Sequence, residues 1–320
     1  MNRWKIAVVA ALAACSLQAA AQGYPNKAVR VIISFTPGSS TDIVGRIVMH
    51  RLSEIWGQPV VPENRAGAGG SIGSAVVAQA APDGYTLLIN SNAHSVNPAI
   101  YAKLPYETTK DFTDIVPLAS QPNVLVVNAG SPWKTVADLV AGAKAKPEVI
   151  NWGHAGIGSG THLSTEKFVA AANIKVTQIP FKGTPEVVQA MFSGSVDCYW
   201  VPISAGLPHI KSGKLRALAV STPARNPTLP DVPTTGEAGV KNADSPLWFG
   251  VWGPAGVPSD LVAKINADVR KALQDPQVKE RLANGGNTPM DMSPQEFARH
   301  VRSEIEDYQR VIKAAGIKPQ

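Results

Sequence analysis

The chain has 320 residues and only two cysteines, Cys15 and Cys198. Cys15 lies in an N-terminal apolar run, so the remainder holds one thiol and no internal disulfide; an oxidising compartment is tolerated without being exploited. Cys198 sits within the apolar stretch Val196–Val201 and reads as a small buried hydrophobe rather than a nucleophile. Metal-ligand spacing is missing too: no H-x-x-x-H or C-x-x-C occurs, and His154 and His162 are too widely spaced for a helical pair. Cofactors are therefore not expected. No Walker loop exists, because Gly213-Lys214 runs into Leu215 without the earlier glycine. Dinucleotide fingerprints fail at their third glycine, where Gly156-x-Gly158 meets Thr161 and Gly67-x-Gly69 meets Ile72. The net charge of +6 is spread along the chain and not interleaved with aromatics, which argues against nucleic acid. After the N-terminus no apolar run approaches the length of a membrane span.

What is present begins with a leader. Met1–Lys5 carries Arg3 and Lys5, Ile6–Ala14 is apolar, and Ala19-Ala20-Ala21 offers small residues for cleavage. Residues 1–21 are expected to be an export signal, since the apolar core is too short to cross a bilayer. Leu12-Ala13-Ala14-Cys15 also fits the pattern before a lipidated cysteine; cleavage near Ala21–Gln22 is preferred. The mature protein is then expected in the periplasm.

Beyond the leader, β-branched runs alternate with helical patterns. Strands are expected at Val29–Phe35, Gln58–Pro62, Tyr85–Asn90, Val124–Asn128, Val149–Trp152, Val176–Ile179, Val196–Trp200 and Leu215–Ser221. Helices fall between them at Ile43–Trp56, Ser71–Ala80, Thr135–Ala145, Leu163–Ala172, Pro185–Phe192 and Ala205–Ser212. This alternation predicts α/β layers with mainly parallel sheets flanked by helices. From Pro258 onward only helical patterns remain. Pro/Gly-rich joints at Gln121-Pro122-Asn123 and Gly250–Pro258 suggest a discontinuous first lobe, 24–123 plus 250–320, around a second, 124–249.

One loop type recurs at the helix starts. Thr36-Pro37-Gly38-Ser39-Ser40-Thr41-Asp42, Ala66–Ser71, His154–His162 and Lys182-Gly183-Thr184-Pro185 each bring glycine and hydroxyl residues to a helix N-terminus. Such termini carry unpaired N–H donors and partial positive charge, which favour a carboxylate or phosphate. Each charge-assisted hydrogen bond is worth about 1.5–3 kcal/mol. Several converging loops would therefore reach micromolar affinity without an arginine clamp. The same residues are also ordinary caps and turns, and Asp42 serves as a helix-terminal charge match in that view. Convergence of loops from both halves is what separates the two readings.

Gly69-Gly70-Ser71-Ile72-Gly73 matches G-x-S-x-G, so an exported serine hydrolase using Ser71 is the alternative function. A nucleophile elbow needs a strand running directly into the serine, whereas a polar loop, Glu63–Ala68, precedes it here. His94 and His162 stand in polar loops and are candidate donors.

Many short motifs together resemble the Bug/TctC family of periplasmic solute-binding proteins of tripartite tricarboxylate transporters. They include Val31-Ile32-Ile33-Ser34-Phe35-Thr36-Pro37-Gly38 with Asp42, Gly57–Arg65, Pro82-Asp83-Gly84-Tyr85, Gly158-Ser159-Gly160-Thr161-His162 and Gly194-Ser195-Val196-Asp197. Gly213–Ala219, Leu229–Thr234 and Pro254–Pro258 extend the match along the whole mature chain. The resemblance implies a two-lobed, type II-like periplasmic binding protein that closes on a small carboxylate and performs no catalysis. It places Phe35, Thr36, Gly38, Ser39, Thr41 and Asp42 at the ligand from the first lobe. Gly158, Ser159, Thr161, His162, Lys182, Gly183 and Thr184 would face them, with Ser91, Asn92, His94 and Asp197 shaping the rest. It further implies docking to membrane permease subunits, or to a sensor in some relatives; a monomer is expected. Two departures stand out: Ser39 replaces a usual second glycine, and Val196–Pro202 is unusually bulky. Trp200, with Phe35, Trp248, Phe249 and Trp252, either packs the core or forms a flat wall suited to an aromatic carboxylate such as a benzene dicarboxylate.

Overall fold

The computed structural model describes residues 23–314. The expected signal segment and Cys15 lie outside the described residues. Strands β1 (Val29–Ile33), β2 (Val60–Asn64), β3 (Thr86–Ser91), β4 (Phe112–Gln121), β10 (Leu247–Pro254) and β11 (Thr288–Pro289) form one six-stranded sheet in the order β11-β4-β10-β3-β1-β2. Strands β5 (Asn123–Asn128), β6 (Asn151–His154), β7 (Thr177–Pro180), β8 (Cys198–Pro202) and β9 (Leu215–Val220) form a second sheet in the order β7-β6-β8-β5-β9. Each sheet is the centre of one lobe.

Both sheets are mixed, which corrects the expected mainly parallel arrangement. β1 runs parallel to β2 and β3, but β10 is antiparallel to β3 and β4. β6 is parallel to β7 and β8, whereas β5 is antiparallel to β8 and β9. The cause is the crossing. Only Pro122 separates β4 from β5, so the chain enters the second sheet from the side where β6 and β8 end. The second crossing also differs from expectation, because β10 already pairs with β4 at Leu247, and Gly250–Pro254 is buried strand.

Helices cover both faces of each sheet. In the first lobe α1 (Ser40–Trp56), α8 (Ser259–Gln274) and α9 (Pro276–Asn284) pack with Val29, Val31, Ile33, Leu87 and Ile89. The opposite face, Ile32, Leu88, Trp248 and Trp252, meets α2 (Ser71–Ala78) and α10 (Pro294–Ala314). Successive residues of one strand thus serve opposite cores, the two-residue period of a sheet buried on both sides. α10 buries Phe297, Val301, Ile305, Tyr308 and Ile312, spacings of four and three that make one helical stripe.

In the second lobe Leu125, Val127, Trp152, Cys198 and Trp200 pack with α4 (Val136–Ala145) and α5 (Gly160–Ala172). Val124, Val126, Tyr199 and Val201 pack with α6 (Thr184–Phe192) and α7 (Ile203–Lys211). Cys198 is fully buried, and burial pushes its thiol well above the ordinary range, as fits an inert core residue. A smaller apolar cluster bridges the lobes: Val96, Ala99 and Ile100 of α3 (Ala93–Ile100) and Tyr308 and Ile312 of α10 meet Leu163 of α5. No helix among the described residues is long and apolar enough to cross a membrane.

Candidate functional site

The chain after β1 turns at Gly38, whose φ of +77° lies in the left-handed region that glycine enters without strain. Ser39 then caps α1, its Oγ accepting from the N–H of Asp42 at 3.3 Å. Asp42 Oδ2 accepts from the N–H of Gly38 at 3.0 Å. Its Oδ1 accepts from Arg46 Nε at 2.7 Å and Asn64 Nδ2 at 2.9 Å. The Asp42 carboxylate is thus committed to holding the loop, which corrects its expected place at the ligand. The loop it fixes presents Ser40 and Thr41, whose N–H groups have no carbonyl one turn back to receive them.

The second lobe builds its counterpart between β6 and α5. Gly158 has φ +78°, and Ser159 caps α5 by accepting from the N–H of His162 at 3.2 Å. Thr161 Oγ1 accepts from the N–H of Ala155 at 2.9 Å and lies 3.0 Å from Ser159 Oγ. At the start of α6, Thr184 Oγ1 is 2.9 Å from the Tyr199 hydroxyl. Burial pushes the Tyr199 phenol upward, so it stays a neutral donor and acceptor at physiological pH.

These elements meet around one interlobe cavity. It is lined by Phe35, Ser39, Ser40, Thr41, Ser91 and Leu247 from the first lobe and by Ala155, Ser159, Gly160, Thr161, Thr184 and Pro202 from the second. No lining residue is ionisable. The start of α1 from the first lobe and the starts of α5 and α6 from the second bring hydroxyls and helix N-termini, the kind of donor set that favours an anion, to the cavity wall. Ser40 Oγ is buried at this wall without a hydrogen-bond partner among the described residues. The cavity holds about 20 Å³, roughly one water molecule, because the lobes are pressed together.

Glycines make that approach possible. A Cβ on Gly183 would lie 2.0 Å from Thr36 Oγ1, and one on Gly160 would lie 2.6 Å from both Asn92 Oδ1 and Leu247 Cδ1. The Tyr101 hydroxyl donates across the seam to the Ile157 carbonyl at 2.8 Å.

Of the expected residues, Phe35, Ser39, Thr41, Ser91, Ser159, Thr161 and Thr184 line the cavity. Thr36, Gly38, Asn92, Gly158 and Gly183 lie at the seam, where Gly38 approaches Pro185 and Gly158 approaches Asn97. Lys182 is exposed at the cleft mouth, in an outer groove with Tyr101 and Phe181. His162 lies behind its loop, with Nδ1 accepting from the Gly158 N–H at 3.4 Å and Nε2 3.4 Å from Glu166 Oε1.

Three further expected site residues, His94, Asp197 and Trp200, stand away from the cavity. His94 is fully buried in the first lobe, its ring 4.7 Å from Phe112 and 4.5 Å from Trp252. Burial pushes it down to about 3, so it is a neutral core residue. Asp197 accepts from the N–H of Asn151 at 2.8 Å and ties β8 to the start of β6. Trp200 is fully buried against Phe168, because strand parity turns Tyr199 to the α6 side instead. Trp248, Phe249 and Trp252 are core residues of the first lobe, so the flat aromatic wall does not form. Ser71 opens α2, yet β2 has already ended at Asn64, and no strand runs into the serine as an elbow requires.

Ser40, Ala155, Gly160, Pro202 and Leu247 complete the lining without having been expected individually. Ser40 and Gly160 lie inside the recurrent loops and were within reach of the sequence. Pro202 and Leu247 come from strands whose neighbours only the tertiary pairing reveals.

Two α/β lobes closing helix N-termini around a shared cavity define a two-lobed solute-binding protein. The chain belongs to the TctC family, the tripartite tricarboxylate transporter family receptor, whose model matches residues 44–317. Among solved structures it is similar to the periplasmic binding protein BugD, at 31% identity and a TM-score of 0.89, covering 93% of this chain and 100% of that one. It is similar to Rpa4515 of Rhodopseudomonas palustris, solved with adipate, at 35% identity and a TM-score of 0.90 over 93% of this chain and 100% of that one. MatC from the same organism, solved with bound malate, is 33% identical with a TM-score of 0.86 over 90% and 100%.

Proposed function

We propose that this chain is a periplasmic receptor that captures a small aliphatic carboxylate between its lobes and delivers it to the permease subunits of a tripartite tricarboxylate transporter. The observation that carries the reading is the convergence of three helix N-termini, from both lobes, on a cavity with hydroxyl walls and no ionisable side chain. Donors already aimed at one point stabilise a carboxylate without reorganisation. The solved relatives with adipate and malate support that ligand class. An aliphatic body suits the site better than an aromatic one, since Phe35 is the single aromatic ring of the lining.

A ligand of that size needs far more room than about 20 Å³. Capture therefore requires the two lobes, which the chain joins at Pro122 and again ahead of Leu247, to stand further apart before they close. Closing then brings Leu163 against α3 and α10.

The test is a thermal-shift and calorimetric panel of adipate, malate and benzene dicarboxylates. Binding to the native state raises the melting midpoint, and adipate or malate is expected to do so more than the aromatic acids. Thr161→Val and Thr184→Val each keep volume but lose a hydroxyl, so each should weaken binding about tenfold, or about 1.4 kcal/mol. Unchanged affinity in both variants would remove the second lobe's hydroxyls from the site. A panel in which no carboxylate shifts the midpoint would reject the ligand class.

A further inference from the structure

Of the four glycine loops that precede helices, one stays outside the cavity. Ala66-Gly67-Ala68-Gly69-Gly70-Ser71, which also opens the G-x-S-x-G pattern, contributes no residue to the lining. Its backbone is nonetheless unusual. Gly67, Ala68, Gly69 and Gly70 have φ values of +128°, +45°, +57° and +89°, four successive residues at positive φ. Alanine enters that region only with strain, and such strain persists where surrounding contacts fix it.

Those contacts come from the other lobe. A Cβ on Gly69 would lie 2.2 Å from the Ile157 carbonyl oxygen and 3.1 Å from the Gly158 carbonyl carbon. From the opposite side, a Cβ on Gly156 would lie 3.3 Å from the Gly69 nitrogen. The two backbones therefore touch with no side chain between them. The other glycines of the pattern, Gly70 and Gly73, face their own lobe, toward Asn90 and Arg65. Asn97 of α3 donates through Nδ2 to the Gly69 carbonyl at 3.2 Å and fixes the loop from behind.

Tyr101, just past α3, meets the same turn. Its hydroxyl donates to the Ile157 carbonyl at 2.8 Å, and its ring lies against Gly158, where a Cβ would be 3.1 Å from Cε2. Burial, and next Tyr106, pushes the phenol up to about 12, so the donor is present throughout the physiological range. Val96, Ile100 and Leu163 pack beside Ile157 and Tyr101 and make the seam apolar, which strengthens the hydrogen bond.

We propose that the Gly67–Gly70 loop and Tyr101 form a latch on the Ile157–Gly158 turn, which sets affinity and residence time for every ligand while touching none. This rests on the carboxylate-receptor reading above. The gripped turn runs directly into Ser159, Gly160 and Thr161, so the latch holds the second-lobe wall of the cavity from its outer side. Ala68, Tyr101, Gly156 and Ile157 line the outer groove at the cleft mouth instead of the cavity. Each latch contact exists only while the lobes are together; once they part, the phenol and the carbonyl regain water. Apparent affinity scales with the population of the binding-competent state, so the latch multiplies it by a factor belonging to the closed form and not to the ligand.

Tyr101→Phe keeps the ring and removes the donor. Calorimetric titration of the mature protein should show affinity for adipate and for malate falling about three- to tenfold, by the same factor for both acids. Stopped-flow dissociation should quicken by a similar factor. The unliganded melting midpoint should move by less than about 2 °C, whereas a merely structural tyrosine would shift it and leave affinity alone. Gly69→Ala drives a methyl into the Ile157 carbonyl and should weaken both acids alike by at least about tenfold. If G69A does not fold, Y101F alone decides. Affinity of Y101F within about twofold of the wild type for both acids overturns the latch and leaves the receptor reading intact. So does a loss that differs between the acids by more than about threefold, which would put Tyr101 in contact with ligand. Absence of wild-type binding to either acid removes the receptor reading and the latch with it.

Discussion

Gly160→Ala and Gly183→Ala are each expected to lower carboxylate affinity by at least about a hundredfold, roughly 2.7 kcal/mol, while the protein remains folded. The argument turns on which neighbour the added methyl meets. Gly183 has φ −177°, an extended conformation that alanine adopts freely. Its Cβ would meet Thr36 Oγ1 at 2.0 Å, across the cleft in the other lobe. The Cβ of Ala at 160 would sit at a helix start and again meet only first-lobe atoms, Asn92 Oδ1 and Leu247 Cδ1 at 2.6 Å. Each lobe has its own core, so separation of the lobes relieves the clash without unfolding either. The unliganded melting midpoint should move by no more than about 2–4 °C, whereas the shift induced by adipate or malate disappears. Gly130→Ala, where no atom lies within 4 Å, should retain the full ligand-induced shift. Retained binding in both cleft variants would mean that the lobes need not approach this closely to hold ligand.

These glycines also show what a sequence makes legible. The βα units were readable because a β-branched run followed by a capped amphipathic helix is a local signal, and Ser39 and Ser159 cap as such residues should. β10 was not readable. Its sequence, Leu-Trp-Phe-Gly-Val-Trp-Gly-Pro, is buried on both faces, so alternation vanishes and its glycines and proline mimic a joint. β4 was hidden by Pro117 and Asp114, which the sheet tolerates beside irregular pairing with β10 and a hydrogen bond from Trp252 Nε1 to Asp114 Oδ1 at 2.8 Å. α3 was hidden by Pro98 and by its polar first turn, which read as a loop. The hydroxyl loops of the site could be seen in the sequence, but their convergence could not. Which side of β8 faces the cavity depends on pairing with β5 and β6, and one step of parity separates Tyr199 from Trp200.

α3 also carries the second large expectation, a loss of stability on acidification that His94 controls. The ring is fully buried between Phe112 and Trp252, with neither nitrogen hydrogen-bonded among the described residues. Burial holds it at about 3 in the folded protein against an ordinary 6.5. Between those values the unfolded chain binds the proton and the folded protein does not. Stability is therefore complete above about pH 6.5 and falls as pH drops toward about 3, by up to about 1.4 kcal/mol per pH unit. His154, pushed down to about 3 chiefly by burial and next by His162, acts in the same direction. Asp114 and Glu304 act oppositely, because burial raises both carboxyls. Comparing His94→Leu with the wild type at the same pair of pH values cancels those contributions. Urea unfolding at about pH 7 and about pH 5 should show the wild type losing about 2 kcal/mol more than the variant. An equal loss in both proteins would mean that the His94 ring gains a proton in the native state or is reached by water there. A smaller loss in the variant, with adipate binding retained at the higher pH, would place the acid sensitivity in the core packing of the first lobe and leave the cavity between the lobes unaffected.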